Sequence, residues 1–114
     1  MTLLALEIDM GWRDIGAEAD IPLRGCRKVA TPQGDVAIFR TGDGRVFALR
    51  DLCPHKQGPL SQGIVHGHAV TCPLHGWVID LASGEPTGAD AGKGCAPTVP
   101  VLVKQDRIFI PAEA

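Results

Sequence analysis

Several features are missing from this chain, and each absence narrows what it can be. Lys and Arg are scattered singly and form no basic stripe, which argues against a nucleic-acid partner. No apolar run approaches the ~18 residues that a membrane-spanning helix needs. The apolar start, Met1 to Met10, already carries Glu7 and Asp9 and has neither a basic leader nor a small-residue cleavage site. It does not read as a signal peptide, so the cytoplasm is the expected location. There is no internal repeat, no low-complexity tract and no dividing linker. No glycine-rich nucleotide fingerprint and no nucleophile with a general acid set can be found, so neither a nucleotide site nor self-contained catalysis is expected.

What is present is a 114-residue chain, enough for one small domain, 1–114, and not for two. Hydrophobic residues make up 45% and charged residues 21%, a globular balance with a formal charge of −2. So small a charge steers a partner only weakly. Fourteen glycines and nine prolines suit short strands joined by tight turns rather than a helical bundle.

Strand signals dominate from residue 26 onward. Cys26–Thr31 and Asp35–Thr41 flank the turn residues Pro32-Gln33-Gly34. Within the second run Val36 and Ile38 alternate with Ala37 and Phe39, which predicts a strand buried on both faces. Gly42-Asp43-Gly44 is a hairpin turn leading into Arg45–Arg50, with Phe47 and Leu49 on one face. Gly63–His66 and Ala69–Cys72 read as short strands turned at Gly67, and Trp77–Leu81 as another, ended by Ser83-Gly84. Residues 82–97 form a long Gly/Ala/Pro/Asp-rich loop. Val99, Val101 and Val103 alternate as one strand before the Gln105-Asp106 turn and a closing strand, Arg107–Pro111. The one stretch with a helical period is Asp14–Asp20. The expected fold is all-β: a small sandwich or barrel with an inserted hairpin unit at about 51–81.

That unit holds the chemistry. Cys53-Pro54-His55 and Cys72-Pro73-Leu74-His75 each place a thiolate and an imidazole in one tight loop. Proline after each cysteine fixes φ and bends the backbone sharply. The 63–72 hairpin can bring the two loops face to face. Each loop then gives one sulfur and one nitrogen, and two irons can sort them: both cysteines on the inner iron, both histidines on the outer. This is the Rieske arrangement, in which two histidines replace two cysteines on one iron of a [2Fe–2S] cluster. Four thiolates make an oxidised cluster a dianion, whereas two thiolates and two neutral imidazoles leave it neutral. Adding an electron to a neutral site costs less, so the potential rises. Zinc is the alternative for two Cys and two His, but zinc sites usually pair Cys with Cys and His with His, and here each loop is mixed. Cys26 and Cys95 match no ligand spacing. His66 and His68 read as solvent-facing loop residues, Trp77 as packing under the second loop, and Lys56 as a solvated loop charge.

At these boxes the chain resembles known Rieske proteins. The respiratory-complex type adds a disulfide across the cluster and hydroxyl donors near its sulfurs. The equivalent positions here look like Gly58, Leu74, Trp77 and Ile79, which supply neither. The resemblance therefore implies a potential of about −150 mV rather than about +300 mV. Val36–Arg40, Cys53–Gly67 and Val70–Leu81 further resemble the small subunit of the assimilatory NADH-dependent nitrite reductase. One departure is Gly76, where that pattern has asparagine. The resemblance implies one [2Fe–2S] cluster per chain held by Cys53, His55, Cys72 and His75. It also implies an electron-relay role beside a large subunit carrying FAD, a [4Fe–4S] cluster and siroheme, which reduces nitrite to ammonia. The ferredoxin component of a ring-hydroxylating dioxygenase shares the same ligands. It commonly has phenylalanine at the position of Ile79.

Overall fold

The computed structural model describes residues 11–52, 59–73, 76–88, 91–92 and 94–113. Among these residues ten strands form three antiparallel sheets. They are β1 (Trp12–Ala17), β2 (Gly25–Thr31), β3 (Gly34–Arg40), β4 (Val46–Arg50), β5 (Ile64–His66), β6 (Ala69–Thr71), β7 (Val78–Asp80), β8 (Thr98–Val99), β9 (Leu102–Lys104) and β10 (Arg107–Pro111). The sheets run β1-β10-β9, β2-β3-β4-β8 and β5-β6-β7. The all-β expectation holds.

The centre of the molecule is β3. Val36, Ala37, Ile38 and Phe39 are all fully buried, as their double-faced hydrophobicity predicts. Alternation sends them into two different cores. Val36 and Ile38 join Val29, Ala48 and Val99 against Ile15, Ile108 and Ile110 of the first sheet. Ala37 and Phe39 join Leu49 on the opposite face, packed with Val65, Val70 and Ile79 of the small β5-β6-β7 sheet. Burying a side chain the size of Phe39 or Ile38 contributes about 2–3 kcal/mol. The middle sheet is thus a wall with one partner sheet on each side.

Two expectations need correcting. Asp14–Asp20 is not helical: Trp12–Ala17 is a strand, followed by a single 3₁₀ turn at Glu18–Asp20. Pairing with β10 decides this, since a seven-residue helix is marginal alone. Asp14 also bends the strand by accepting the Gly16 N–H at 2.9 Å, where the register shifts by a bulge. Its carboxylate grips Arg107 of β10 in a two-bond pair at 3.0 and 3.1 Å, which holds the Asp14 carboxyl below its ordinary range. The 99–103 alternation is likewise not one strand. Pro100, which has no N–H to donate, separates β8 from β9. The two pieces then pair in different sheets, β8 with β4 and β9 with β10.

The long 82–97 loop is stitched to the sheets at its described residues. Ser83 donates its N–H and hydroxyl to Asp80 at 3.0 and 2.9 Å, and Thr87 N–H reaches Val78 O at 2.8 Å. Ala96, fully buried, donates to Gly84 O at 2.7 Å. Gly84 has φ +75°, and a Cβ there would lie 1.9 Å from Ala96 O. No side chain fits without moving the loop. Gly44 has φ +85° but open space around a Cβ. Chemical unfolding should therefore separate the two: Gly44→Ala costs about 1–2 kcal/mol from backbone strain alone, and Gly84→Ala about 3 kcal/mol or more. Equal losses would show that the Gly84–Ala96 approach is not a tight constraint.

Candidate metal centre

Of the four predicted ligands, Cys53, His55 and His75 lie outside the described residues, as do Lys56, Gly58 and Leu74. Cys72 is described, and so is the frame on either side of both loops. Cys72 follows β6 directly and is 2% exposed, its thiol free and set in the core shared by Leu60, Val70, Trp77 and Phe39. Its N–H donates to Trp77 O at 2.7 Å, and its carbonyl accepts the Gly76 N–H at 3.2 Å. These two bonds hold Gly76 and Trp77, which lead into β7, against Cys72 at the end of β6. Gly76 sits at φ +71° with nothing near a Cβ. Glycine adopts this left-handed conformation freely, and asparagine is the side-chain-bearing residue that tolerates it best. The Gly76 departure therefore keeps the local backbone shape. Trp77, 9% exposed, is a packing residue of the same core as Cys72.

The first loop departs from β4 and returns through a 3₁₀ turn, Leu60–Gln62. Leu60 is fully buried in the same core as Cys72, so the return leg of one loop and the start of the other share one anchor. On the outgoing side stands Asp51, 6% exposed, whose carboxylate accepts both the N–H and the hydroxyl of Ser61 at 2.7 Å each. Sequence reading missed this pair, because two polar residues ten apart carry no periodic signal.

His66 and His68 are exposed, as read from the sequence, but they are not idle. His66 Nε2 meets Thr71 Oγ1 at 2.6 Å across the β5–β6 hairpin. His68 Nε2 meets Asp43 Oδ2 at 2.9 Å, and its ring lies 5.6 Å from that of Phe47. The turn of the small sheet is thereby tied to the β3–β4 turn. The Thr41 hydroxyl, and after it His68, hold the Asp43 carboxyl down to about 2.

Among the described residues no group of three or more His, Cys, Asp or Glu could hold a metal. No helix among them is long and apolar enough to cross a membrane. A buried sulfur at the neck of a tight turn, in an apolar shell, suits a thiolate ligand of an iron–sulfur cluster. Residues 11–101 match the model of the Rieske [2Fe-2S] domain. The chain belongs to the Rieske family. Its cofactor is a Rieske-type [2Fe–2S] cluster and its role is electron transfer within an oxidoreductase system, which displaces the zinc alternative.

The anthranilate 1,2-dioxygenase ferredoxin subunit of Burkholderia cepacia is 38% identical over 98 residues, covering 85% of this chain and 83% of that one. The 4beta-methylsterol monooxygenase of Methylococcus capsulatus is 38% identical over 69 residues, 60% of this chain but only 19% of that much longer protein. Among solved structures, a protein of Mycobacterium tuberculosis described as an NADH-dependent nitrite reductase small subunit superposes with a TM-score of 0.79. It is 25% identical, and the match covers 93% of this chain and 99% of that one.

The remaining cysteines differ in reactivity. Burial first, then the nearby Asp51 charge, pushes the Cys26 thiol up to about 12. Cys95 is exposed. Since the thiolate is the nucleophile, iodoacetamide at pH 8 should label Cys95 readily and leave Cys26 unmodified until the protein is unfolded. Equal labelling of both in the folded protein would contradict the partial burial and raised pKa of the Cys26 thiol.

Proposed function

We propose that this chain is the electron-transfer small subunit of a cytoplasmic NADH-dependent nitrite reductase, working beside a large subunit that carries siroheme, a [4Fe–4S] cluster and FAD. In this reading residues 1–114 are one Rieske domain with its cluster-binding part at about 51–81. Cys53 and Cys72 hold the inner iron, and His55 and His75 the outer. The bound cluster supplies a one-electron carrier. The observation that carries the reading is the extended likeness of the ligand segments, Cys53–Gly67 and Val70–Leu81, to that subunit family. The end-to-end match to the Mycobacterium tuberculosis protein supports it.

The chain's own residues shape the carrier. Cys72 is held in a shell of Leu60, Val70, Trp77 and Phe39, which limits water at the inner side. Trp77 and Ile79 are buried and bring no hydroxyl that would stabilise the added negative charge of the reduced state. A potential near the low end of the Rieske range follows, about −150 mV. His75→Cys should lower it further if a cluster still assembles, because a thiolate adds negative charge. An unchanged potential in that variant would contradict His75 as a ligand.

A freestanding dioxygenase ferredoxin is the second reading, favoured by the 38% identity to the Burkholderia ferredoxin subunit over most of both chains. Affinity purification of the tagged chain from its own cells, grown on nitrate, separates the two. Recovery with a large siroheme- and flavin-containing protein is the expected result. Recovery alone, with an oxygenase or with a small flavin reductase would transfer the assignment to the ferredoxin.

A further inference from the structure

Asp51 is one of only two buried polar residues among those described, the other being Thr41. A carboxylate is rarely buried without a specific partner, because removing its charge from water is costly. Asp51 spends both of its oxygens on a single residue, Ser61: Oδ1 accepts the backbone N–H and Oδ2 accepts the hydroxyl. Among the described residues it forms no salt bridge with a lysine or arginine.

Its position gives this pairing a consequence. Asp51 is fixed to the middle sheet, its own N–H donating to Asp35 O at 3.1 Å. Immediately afterwards the chain turns away, with Leu52 N–H on Arg50 O at 2.7 Å. Ser61 lies in the Leu60–Gln62 turn, held by Leu60 in the core that contains Cys72. The carboxylate therefore joins the two ends of the segment 52–60, which contains Cys53 and His55.

We propose that Asp51 is a positioning residue for the iron–sulfur cluster: clamped to Ser61, it pins together the two ends of the segment that carries Cys53 and His55. This rests on Cys53 and His55 being ligands. A loop whose ends are already pinned has less conformational freedom to lose when it closes on a cluster. Partners that orient ligands are commonly worth ten- to a hundredfold in metal affinity.

Three variants of the cluster-loaded protein test it, read by the rate of cluster loss to an iron chelator and by the EPR spectrum of the reduced state. Asp51→Ala should release the cluster on the order of tenfold faster and broaden the spectrum. Asp51→Asn keeps both bonds, its amide oxygen accepting the Ser61 N–H and its amide N–H donating to the Ser61 hydroxyl. It should restore the spectrum and most of the retention. Ser61→Ala loses one bond and should fall between wild type and Asp51→Ala. A wild-type release rate and spectrum in Asp51→Ala would overturn the proposal, as would an Asp51→Asn protein as labile as Asp51→Ala. Should Asp51→Ala fail to fold, Ser61→Ala decides by the same two readings, unchanged values overturning the clamp. Cys53→Ser, measured alongside, should fail to hold a normal cluster. A normal cluster in that variant would refute the ligand assignment, a failure distinct from that of the clamp.

Discussion

The structure depends on β3 being buried on both faces. A strand that alternates Val36 and Ile38 with Ala37 and Phe39 cannot lie at a surface, and it is stable only with a hydrophobic partner on each side. One partner is the sheet that joins β1 to β10. The other is the small β5-β6-β7 sheet, whose residues Val65, Val70 and Ile79 cover Phe39. The small sheet has three short strands whose apolar residues Val65, Val70 and Ile79 are buried only in the core shared with that wall. Its order comes from the wall it leans on.

That dependence bears on how a protein of this size can frame an iron–sulfur centre. Electron transfer favours ligands that change position little between redox states, and loops are the least ordered parts of a fold. Here the loop frames are pinned by several independent contacts. Leu60 and Cys72 share a core, Trp77 closes the second turn, Asp51 holds Ser61, and His68 ties the far turn to Asp43. Cys72 lies in an apolar core, and Trp77 and Ile79 bring no hydroxyl to it.

Much of this was legible in the amino-acid pattern, because the strongest signals were local. Alternation located β3, the Gly42-Asp43-Gly44 and Gly67 turns located two hairpins, and mixed Cys/His boxes identified the cofactor class. What was misread depended on partners distant in sequence. Asp14–Asp20 has a helical period, but β10, nearly a hundred residues later, makes most of it a strand. Val99, Val101 and Val103 alternate as if on one strand, yet Pro100 divides them between two sheets. The Asp51–Ser61 and His68–Asp43 pairs join residues whose meeting only the fold reveals. Gly76 departs from the asparagine of the pattern it resembles, and its positive φ shows why glycine serves there.

The central claim is that two cysteines and two histidines hold one [2Fe–2S] cluster. Pulsed EPR of the reduced protein, reading nitrogen couplings, tests it most directly. The account predicts two distinct imidazole nitrogens coupled to the cluster, one disappearing in a His55 variant and the other in a His75 variant. A reduced cluster with no nitrogen coupling would contradict it, as would a protein that purifies with zinc and no acid-labile sulfide.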